Sequence, residues 1–439
     1  MVSLFVWSVV VGTQWCATGL VAGPARRRPN ARRGATRRLA AASPSSKVDE
    51  ARAQALVHQA LARETRDGGE YKKAIRLYRA VVQLEPEAWQ GWADLSAVMI
   101  EAAAPAVQTI KCLQRSIVAM ETDESPDRAS PTLLAAMYYE FGSKMADLTP
   151  EQQTKALFDD ELYLEIGAAD VLTANAINAL TAAITISGGT MPLAEHVRAA
   201  LRSASGDKRV PPKRASKAYV SAVFDAEAVT FDVRAAKMRY ALPAAVAAMC
   251  ARRSRPCDVV LDVGCGTGLA GLALREAGLV GRRMVGLDLA KNMCAEAAAR
   301  RLNDGQLVYD DVELGDAEDG RAVDKLLAMD PDTAGRRFDV VVAADVFASI
   351  GDLGPALRTF HAALAPGGDA VFSCEDRPAA AAGETGWRLE RSGRYTHAAA
   401  YVREAAAEAG FVVVEAERAV VHDDGPDATL YRLHKSPAS

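Results

Sequence analysis

The stretch Val259-Val-Leu-Asp-Val-Gly-Cys-Gly-Thr-Gly-Leu269 decides how this chain is read. Four apolar strand formers and one acid break into three glycines at alternate sites, and a run rich in Ala and Leu follows. That pattern predicts a strand, a tight turn and a helix. Gly264, Gly266 and Gly268 let the backbone reach angles that side chains forbid and bring it close to a ligand. The helix opening at Leu269 adds N–H groups with no partner inside the helix. Something small and extended is expected to lie across this turn.

Two ligand classes use such a turn. Gly266, Gly268 and Gly271 also satisfy the Gly-x-Gly-x-x-Gly spacing of dinucleotide sites, so spacing alone does not separate them. Asp262 does: a carboxylate beside a pyrophosphate is repulsive, whereas it suits a ligand bearing an ammonium group, and S-adenosylmethionine is one. A second acid, Asp288, closes the apolar run Met284–Leu287, where it could accept bonds from both ribose hydroxyls.

The chain has 439 residues, half of them hydrophobic, which is enough for two or three domains with cores of their own. A net charge of -4 gives no expectation of nucleic-acid binding. Seven cysteines show no Cys-x-x-Cys pair and no histidine at zinc spacing, so they read as small apolar residues in a reducing compartment, and no metal is expected. Cys265 alone falls beside the expected ligand, where a small space-filling role suits it.

Outward from the turn, residues 1–48 contain no Asp or Glu, begin with an apolar stretch, and carry seven arginines between Ala25 and Arg38. They read as a targeting leader for an organelle, a plastid before a mitochondrion, with a basic arm as the other reading. The apolar part is too short and interrupted for a membrane span, and none is expected once the leader is removed. Residues 49–205 read as a helical domain. Gly69, Tyr71, Ala74, Tyr78 and Pro86, then Trp92 and Leu95, and less regularly Ile110 and Leu113, fall at the offsets of tetratricopeptide-like repeats, whose concave face would take a protein partner. Helices are also expected over Thr132–Met145 and Leu157–Ile186. Residues 206–217 read as a linker and 218–437 as the catalytic domain. A helical lid should carry Asp225 and Asp232 on one face, with Tyr219 and Tyr240 as core or ligand contacts.

Strands and helices then alternate. Strands are expected at Val259–Val263, Arg283–Leu287, Asp311–Leu314, Phe338–Ala343, Ala370–Ser373, Phe411–Glu415 and Ala428–His434. Intervening helices are expected at Leu269–Ala277, Lys291–Arg301, Ala322–Met329, Leu353–Leu364 and Ala398–Ala409. This is an α/β Rossmann-like, doubly wound sheet preceded by an all-α helical-repeat domain, with ligands at the carboxyl ends of the strands.

With these residues in view, Tyr219–Leu433 resembles a class I S-adenosylmethionine-dependent methyltransferase with a seven-stranded sheet. It is similar to predicted bacterial-type methyltransferases that carry tetratricopeptide repeats ahead of the catalytic domain. The resemblance rests on Tyr219-Val-x-x-x-Phe-Asp225 with Phe231-Asp232, Leu261–Gly268, Gly286–Met293, Tyr309–Ala317, Phe338–Val346, and Gly393–His397 with Tyr401–Arg403. It implies that Asp262, Gly264, Cys265, Gly266 and Gly268 hold the methionine part of the cofactor, Asp288 and Leu289 the ribose, and Met293 one face of the adenine. Asp316 with the Ala317 backbone would meet the adenine amino group, Asp310 standing in if the register shifts. Asp345 would end the fourth strand beside the methyl group, or cap a helix there, and Arg394, Tyr395 and His397 would orient or deprotonate the acceptor, or close the pocket wall. The methyl acceptor, small molecule or protein, is not legible, although Ala344-Asp-Val-Phe347 in place of an Asn-Pro-Pro-Tyr type sequence argues against amide or nucleobase amines. The Ala-rich run Ala379–Ala382 departs from the family pattern near the acceptor pocket. A non-catalytic cofactor-binding protein, or a nicotinamide-dependent oxidoreductase, would fit the same sheet.

Overall fold

The computed structural model describes residues 69–124, 128–148, 169–207, 209–255, 257–328, 337–378, 385–423 and 425–437, with isolated positions between 54 and 66. The expected leader and the run Ala379–Ala382 lie outside these residues, as does the first part of the helix expected over Leu157–Ile186. The chain falls into two compact units, Met1–Leu201 and Arg202–Ser439. Among the described residues no helix is long and apolar enough to cross a membrane.

In the first unit, α1 (Tyr71–Leu84), α2 (Trp89–Glu101), α3 (Ala106–Thr122), α4 (Pro131–Ala146) and α5 (Ala169–Ile186) each pack on the next. Ala74, Tyr78 and Val82 of α1 meet Leu95, Val98 and Met99 of α2 and Cys112 of α3 in one apolar cluster. Small residues set how closely the helices approach: a Cβ on Gly91 would stand 3.0 Å from Val81, and one on Gly142 would stand 2.8 Å from Leu180. Trp92 Nε1 donates to the Pro86 carbonyl at 2.7 Å and fixes the turn between α1 and α2. Ser130 caps α4 on the Leu133 N–H, with Pro131 at the first helical position. A sixth helix, α6 (Pro192–Ala204), leads towards the second unit.

The second unit opens with α7 (Lys217–Met238) and α8 (Leu242–Ala251). The elements that follow are β1 (Cys257–Val263), α9 (Leu269–Glu276), β2 (Val280–Asp288), α10 (Lys291–Ala299), β3 (Asp311–Leu314) and α11 (Gly320–Ala328). After them come β4 (Phe338–Ala343), α12 (Gly354–Ala363), β5 (Leu364–Glu375), the short strands β6 (Trp387–Leu389) and β7 (Tyr395–His397), α13 (Ala399–Glu408), β8 (Phe411–Val420) and β9 (Asp427–Lys435). Seven strands form one sheet in the order β3-β2-β1-β4-β5-β9-β8. All run parallel except β9, which is antiparallel to both neighbours. The order reverses beside β1, so a crevice opens at the carboxyl ends of β1 and β4.

Alternation along β1 explains the layers. Val259, Leu261 and Val263 join the cluster on one face, which includes Phe347, Phe360, Phe372 and Tyr431, while Val260 joins the other with Met284, Tyr309 and Val340. Three expectations change, the first being that the strand expected at Phe411–Glu415 continues to Val420 alongside β9. The strand expected at Ala370–Ser373 runs over Leu364–Glu375, because the Pro366-Gly-Gly segment is taken up as an irregularity between the pairs Leu364–Phe338 and Asp369–Val340. The segment before His397 is a two-stranded hairpin, β6 with β7, whose three-residue strands are too short to show as alternation in the sequence.

Phe372 packs edge-on against Phe347 at 5.0 Å and stacks on Tyr431 at 5.6 Å, in the middle of the sheet. Phe372→Ala is expected to lower stability by about 3–5 kcal/mol through lost burial and the cavity left behind, measured by urea unfolding.

Candidate active site at the carboxyl ends of the strands

The turn after β1 is tied to β2 by a shared acceptor: the N–H groups of Gly264 and Cys265 both donate to the Leu287 carbonyl, at 2.6 and 3.1 Å. Gly264, Gly266 and Gly268 have φ of 63°, 54° and 93°, angles only glycine adopts without strain. Gly264 is also pressed on Val346, where a Cβ would stand 2.5 Å from the side chain. Gly266 differs, since a Cβ there would meet nothing within 4 Å, so this part of the turn faces open space. Cys265 is buried, and its sulfur would stand 2.9 Å from a Cβ on Gly286; burial pushes its thiol well above the ordinary range, so it fills space.

Both acids flank this turn. Asp262 is 1% exposed; its Oδ2 accepts from the Tyr309 hydroxyl at 2.6 Å, and its Oδ1 has no hydrogen-bond partner among the described residues. Burial lifts its pKa to about 7 against the opposing Tyr309 bond, and the nearby Asp288 charge adds to the rise. Asp288 accepts from Gly266 N at 2.9 Å and from Ala290 N at 2.8 Å. Burial raises its pKa as well, opposed by those backbone bonds. Tyr309 was quoted within a motif but carried no expected role; it packs on Gly271, whose Cβ would stand 2.3 Å from the hydroxyl oxygen.

The lid helix α7 is continuous, and one face of it is pinned to the loops. Ser221 Oγ donates to the Leu289 carbonyl at 2.9 Å, Asp225 accepts from Asn292 N at 2.7 Å, and Asp232 accepts from Thr267 Oγ1 at 2.6 Å. Arg300 completes the last contact by bonding both Asp232 and the Thr267 carbonyl. Met293 lies under this helix, buried with Ala228 and Ala290 and covered by Phe224 and Phe231.

Asp316 is paired with Arg214 and Lys217, at 2.9 and 2.8 Å. Burial alone would raise its pKa, but the bonds from Lys217 and Arg214 hold it below the ordinary value. These residues line a cavity of about 480 Å³ with Ala215, Ser216, Glu318 and Asp319, while Ala317 turns into the core beneath. Asp310 sits apart: it accepts from Met284 N at 2.7 Å, in mid-strand, and pairs with Arg275 at 2.8 Å. Residues 212–216, read as linker, are bonded to the segment after β4: Ala215 N donates to the Ser349 carbonyl at 2.9 Å and Gly351 N to the Lys213 carbonyl at 2.8 Å.

Asp345 follows β4 with φ of 62°, unusual for a side chain other than glycine, and its N–H donates to Ser373 Oγ at 2.9 Å. Arg394 joins Asp345 to Glu375, bonding both carboxylates. Burial works against the Arg394 charge, and the two acids more than offset it. Tyr395 is buried, with its hydroxyl donating to the Pro212 carbonyl at 2.8 Å. His397 is 1% exposed; Nε2 donates to the Ile350 carbonyl at 2.9 Å, and Nδ1 is buried with no partner. Burial depresses its pKa to about 4 against the bonds to Ile350 and Gly351, so the ring is neutral and locked near pH 7. Tyr395 and His397 thus sit as parts of a wall, and the charged groups facing the end of β4 are Asp345, Glu375 and Arg394. Glu375 and Arg300 carried no expectation, because only the fold brings them beside residues distant in sequence. Among the described residues no cluster of His, Cys, Asp and Glu could hold a metal ion.

Residues 234–416 match a family model described as a methyltransferase domain. No curated protein matches the chain. Among solved structures, it is similar to magnesium protoporphyrin IX methyltransferase from Synechocystis PCC 6803 with bound S-adenosylmethionine, at 18% identity and a TM-score of 0.33, over 47% of this chain and 84% of that one. It is also similar to 1,6-didemethyltoxoflavin-N1-methyltransferase from Burkholderia thailandensis, at 20% identity and a TM-score of 0.37, over 52% and 93%. An S-adenosylmethionine-dependent methyltransferase from Mesorhizobium loti gives 23% identity and a TM-score of 0.30, over 44% and 96%.

Asp232→Ala removes the carboxylate that joins α7 to Thr267 and Arg300. Amide hydrogen exchange is expected to quicken at least ~10-fold in α7 and over residues 264–268, as for loss of one charge-assisted bond of about 1.5–3 kcal/mol, while the sheet strands keep their protection.

Proposed function

We propose that this chain, whose residues 234–416 match a methyltransferase-domain model, is a class I S-adenosylmethionine-dependent methyltransferase that binds its cofactor across the Gly264–Gly268 turn and methylates an acceptor held at the ends of β4 and β5. The observation that carries the reading is the pairing of an open face at Gly266 with a buried Asp262 oxygen that has no partner. A buried carboxylate with an empty lone pair is costly unless something cationic or hydrogen-donating completes it, and an amino-acid ammonium does so.

The residues present fit the cofactor. Asp262 and the loop glycines would hold its methionine end, Asp288 and Leu289 its ribose, Met293 one side of the base, and Asp316 with Ala317 the far edge. Bound there, the cofactor supplies an electrophilic methyl carbon on a sulfonium. The protein's own contribution is position and dryness. α7, latched through Ser221, Asp225 and Asp232, covers the loops and excludes water, and the walls fix the acceptor's approach. Orientation of this kind is worth roughly 7–11 kcal/mol of barrier. As part of the same proposal, α1–α5 offer a surface for a protein partner, supported by the exposed Tyr71 and Val118.

Calorimetry with S-adenosylhomocysteine and with NAD tests the reading: the first is expected to bind and the second not, and the reverse would overturn it. Gly266→Val, which adds both a side chain in the open face and strain at positive φ, should abolish binding while the far-ultraviolet spectrum is kept. Asp262 gives a second test. Its pKa of about 7 means the group is largely protonated at pH 6, and a ligand ammonium favours its charged form. Binding at pH 6 should therefore release up to about one proton, read from titrations in buffers of different ionisation heat, and the release should vanish by pH 8.5 and in Asp262→Asn. In the free protein the sign is fixed by a folded pKa above the unfolded one. The Asp262 contribution is most favourable below the ordinary carboxylate pKa and is lost as pH rises through about 7.

A further inference from the structure

Three charged side chains converge beside the turn without being used by the cofactor residues. Asp345 lies next to Val346, which touches Gly264, so it stands at the edge of the glycine loop. Its side chain is 28% exposed; Oδ1 bonds Arg394, and Oδ2 accepts no hydrogen bond among the described residues. Glu375, at the end of the adjacent β5, is 6% exposed and bonds the same guanidinium.

The charges do not balance. One guanidinium sits between two carboxylates, so the cluster carries one acid more than it has cations. An anionic acceptor would face Asp345 and Glu375 with Arg394 already committed to both. A hydroxyl acceptor needs a base far stronger than a carboxylate. His397 does not supply one, since its ring is buried, neutral and tied to the Ile350 carbonyl. An amine is repelled by neither acid and makes a much smaller demand on the base: it arrives as an ammonium attracted by the excess negative charge, and loses one proton far more easily than an alcohol does before its lone pair is free.

We propose that Asp345, Glu375 and Arg394 form the acceptor subsite and that it takes an amine, making the transfer an N-methylation. This rests on the methyltransferase reading. The ammonium gives one proton to Asp345 Oδ2. The freed nitrogen lone pair then forms the N–C bond as the donor C–S bond breaks with its electron pair left on sulfur. The product leaves as a protonated methylamine, and Asp345 returns its proton to water. Arg394 bridges the two carboxylates and holds them in place.

Three probes of one shape decide the chemistry: benzylamine, benzyl alcohol and benzoate, each titrated into the full chain with and without saturating S-adenosylhomocysteine. Benzylamine is expected to bind at least about 10-fold more tightly than benzyl alcohol, with benzoate weakest. Asp345→Asn and Glu375→Gln should each cut that preference at least about threefold, while S-adenosylhomocysteine affinity stays within about twofold. Tighter binding of the alcohol or of benzoate, or a preference unchanged in both variants, would overturn the proposal. If S-adenosylhomocysteine fails to bind at all, the methyltransferase reading falls by itself, and the probe ranking without it still decides whether the subsite selects amines.

Discussion

The arrangement of the site depends on one carbonyl. Leu287, near the end of β2, accepts from both Gly264 and Cys265, so the turn leaving β1 cannot drift from the neighbouring strand. That bifurcated anchor holds Asp262 and Asp288 on either side of a glycine path, with Gly266 N bonded to Asp288. Register does the rest: Asp262 pairs across the sheet with Gly286 on one side and Val342 on the other, in the buried middle of a parallel array. A carboxylate placed there loses most of its hydration, and Tyr309 restores only one of the lost bonds. The strain is stored where a ligand can relieve it.

Around that anchor the second unit is built in two electrostatic styles. On the side of β2 and β3, acids are compensated: Asp316 has two cations, and Asp288 has backbone donors. On the side of β4 and β5, acids outnumber their partners, and the network is held together by a single arginine from a short hairpin. The lid follows the first style. Its contacts are one hydroxyl and two carboxylates at Ser221, Asp225 and Asp232, spaced so that a single helical face reaches Leu289, Asn292 and Thr267 in turn.

Much of this was legible in the sequence, and the reason is local. The strands that carry the sheet are continuous apolar runs, the turn announces itself by glycines, and the acids fall at the ends of those runs, so β1 to β4 and their helices begin and end within a few residues of expectation. What stayed hidden is whatever needs two distant segments at once. Tyr309 sits in a recognisable motif, yet only the packing on Gly271 shows that its hydroxyl reaches Asp262. His397 looked suited to proton transfer because histidines are few, and nothing local shows that the Ile350 carbonyl and complete burial hold it neutral. Arg394 was expected near the acceptor, but its pairing with Glu375 depends on a hairpin whose strands are too short to leave a pattern.

The segment Pro212–Lys217 reads as a tether by composition and behaves as masonry in the structure. Its backbone is laced to Ser349, Gly351 and Asp352, its Pro212 carbonyl receives the Tyr395 hydroxyl, and its Arg214 bonds Asp316. The second unit therefore begins, as a packed structure, before the first residue of α7. A shortened protein trimmed back to α7 would leave a cut edge of unsatisfied carbonyls and N–H groups along two walls, so any attempt to separate the halves has to divide the chain upstream of Pro212.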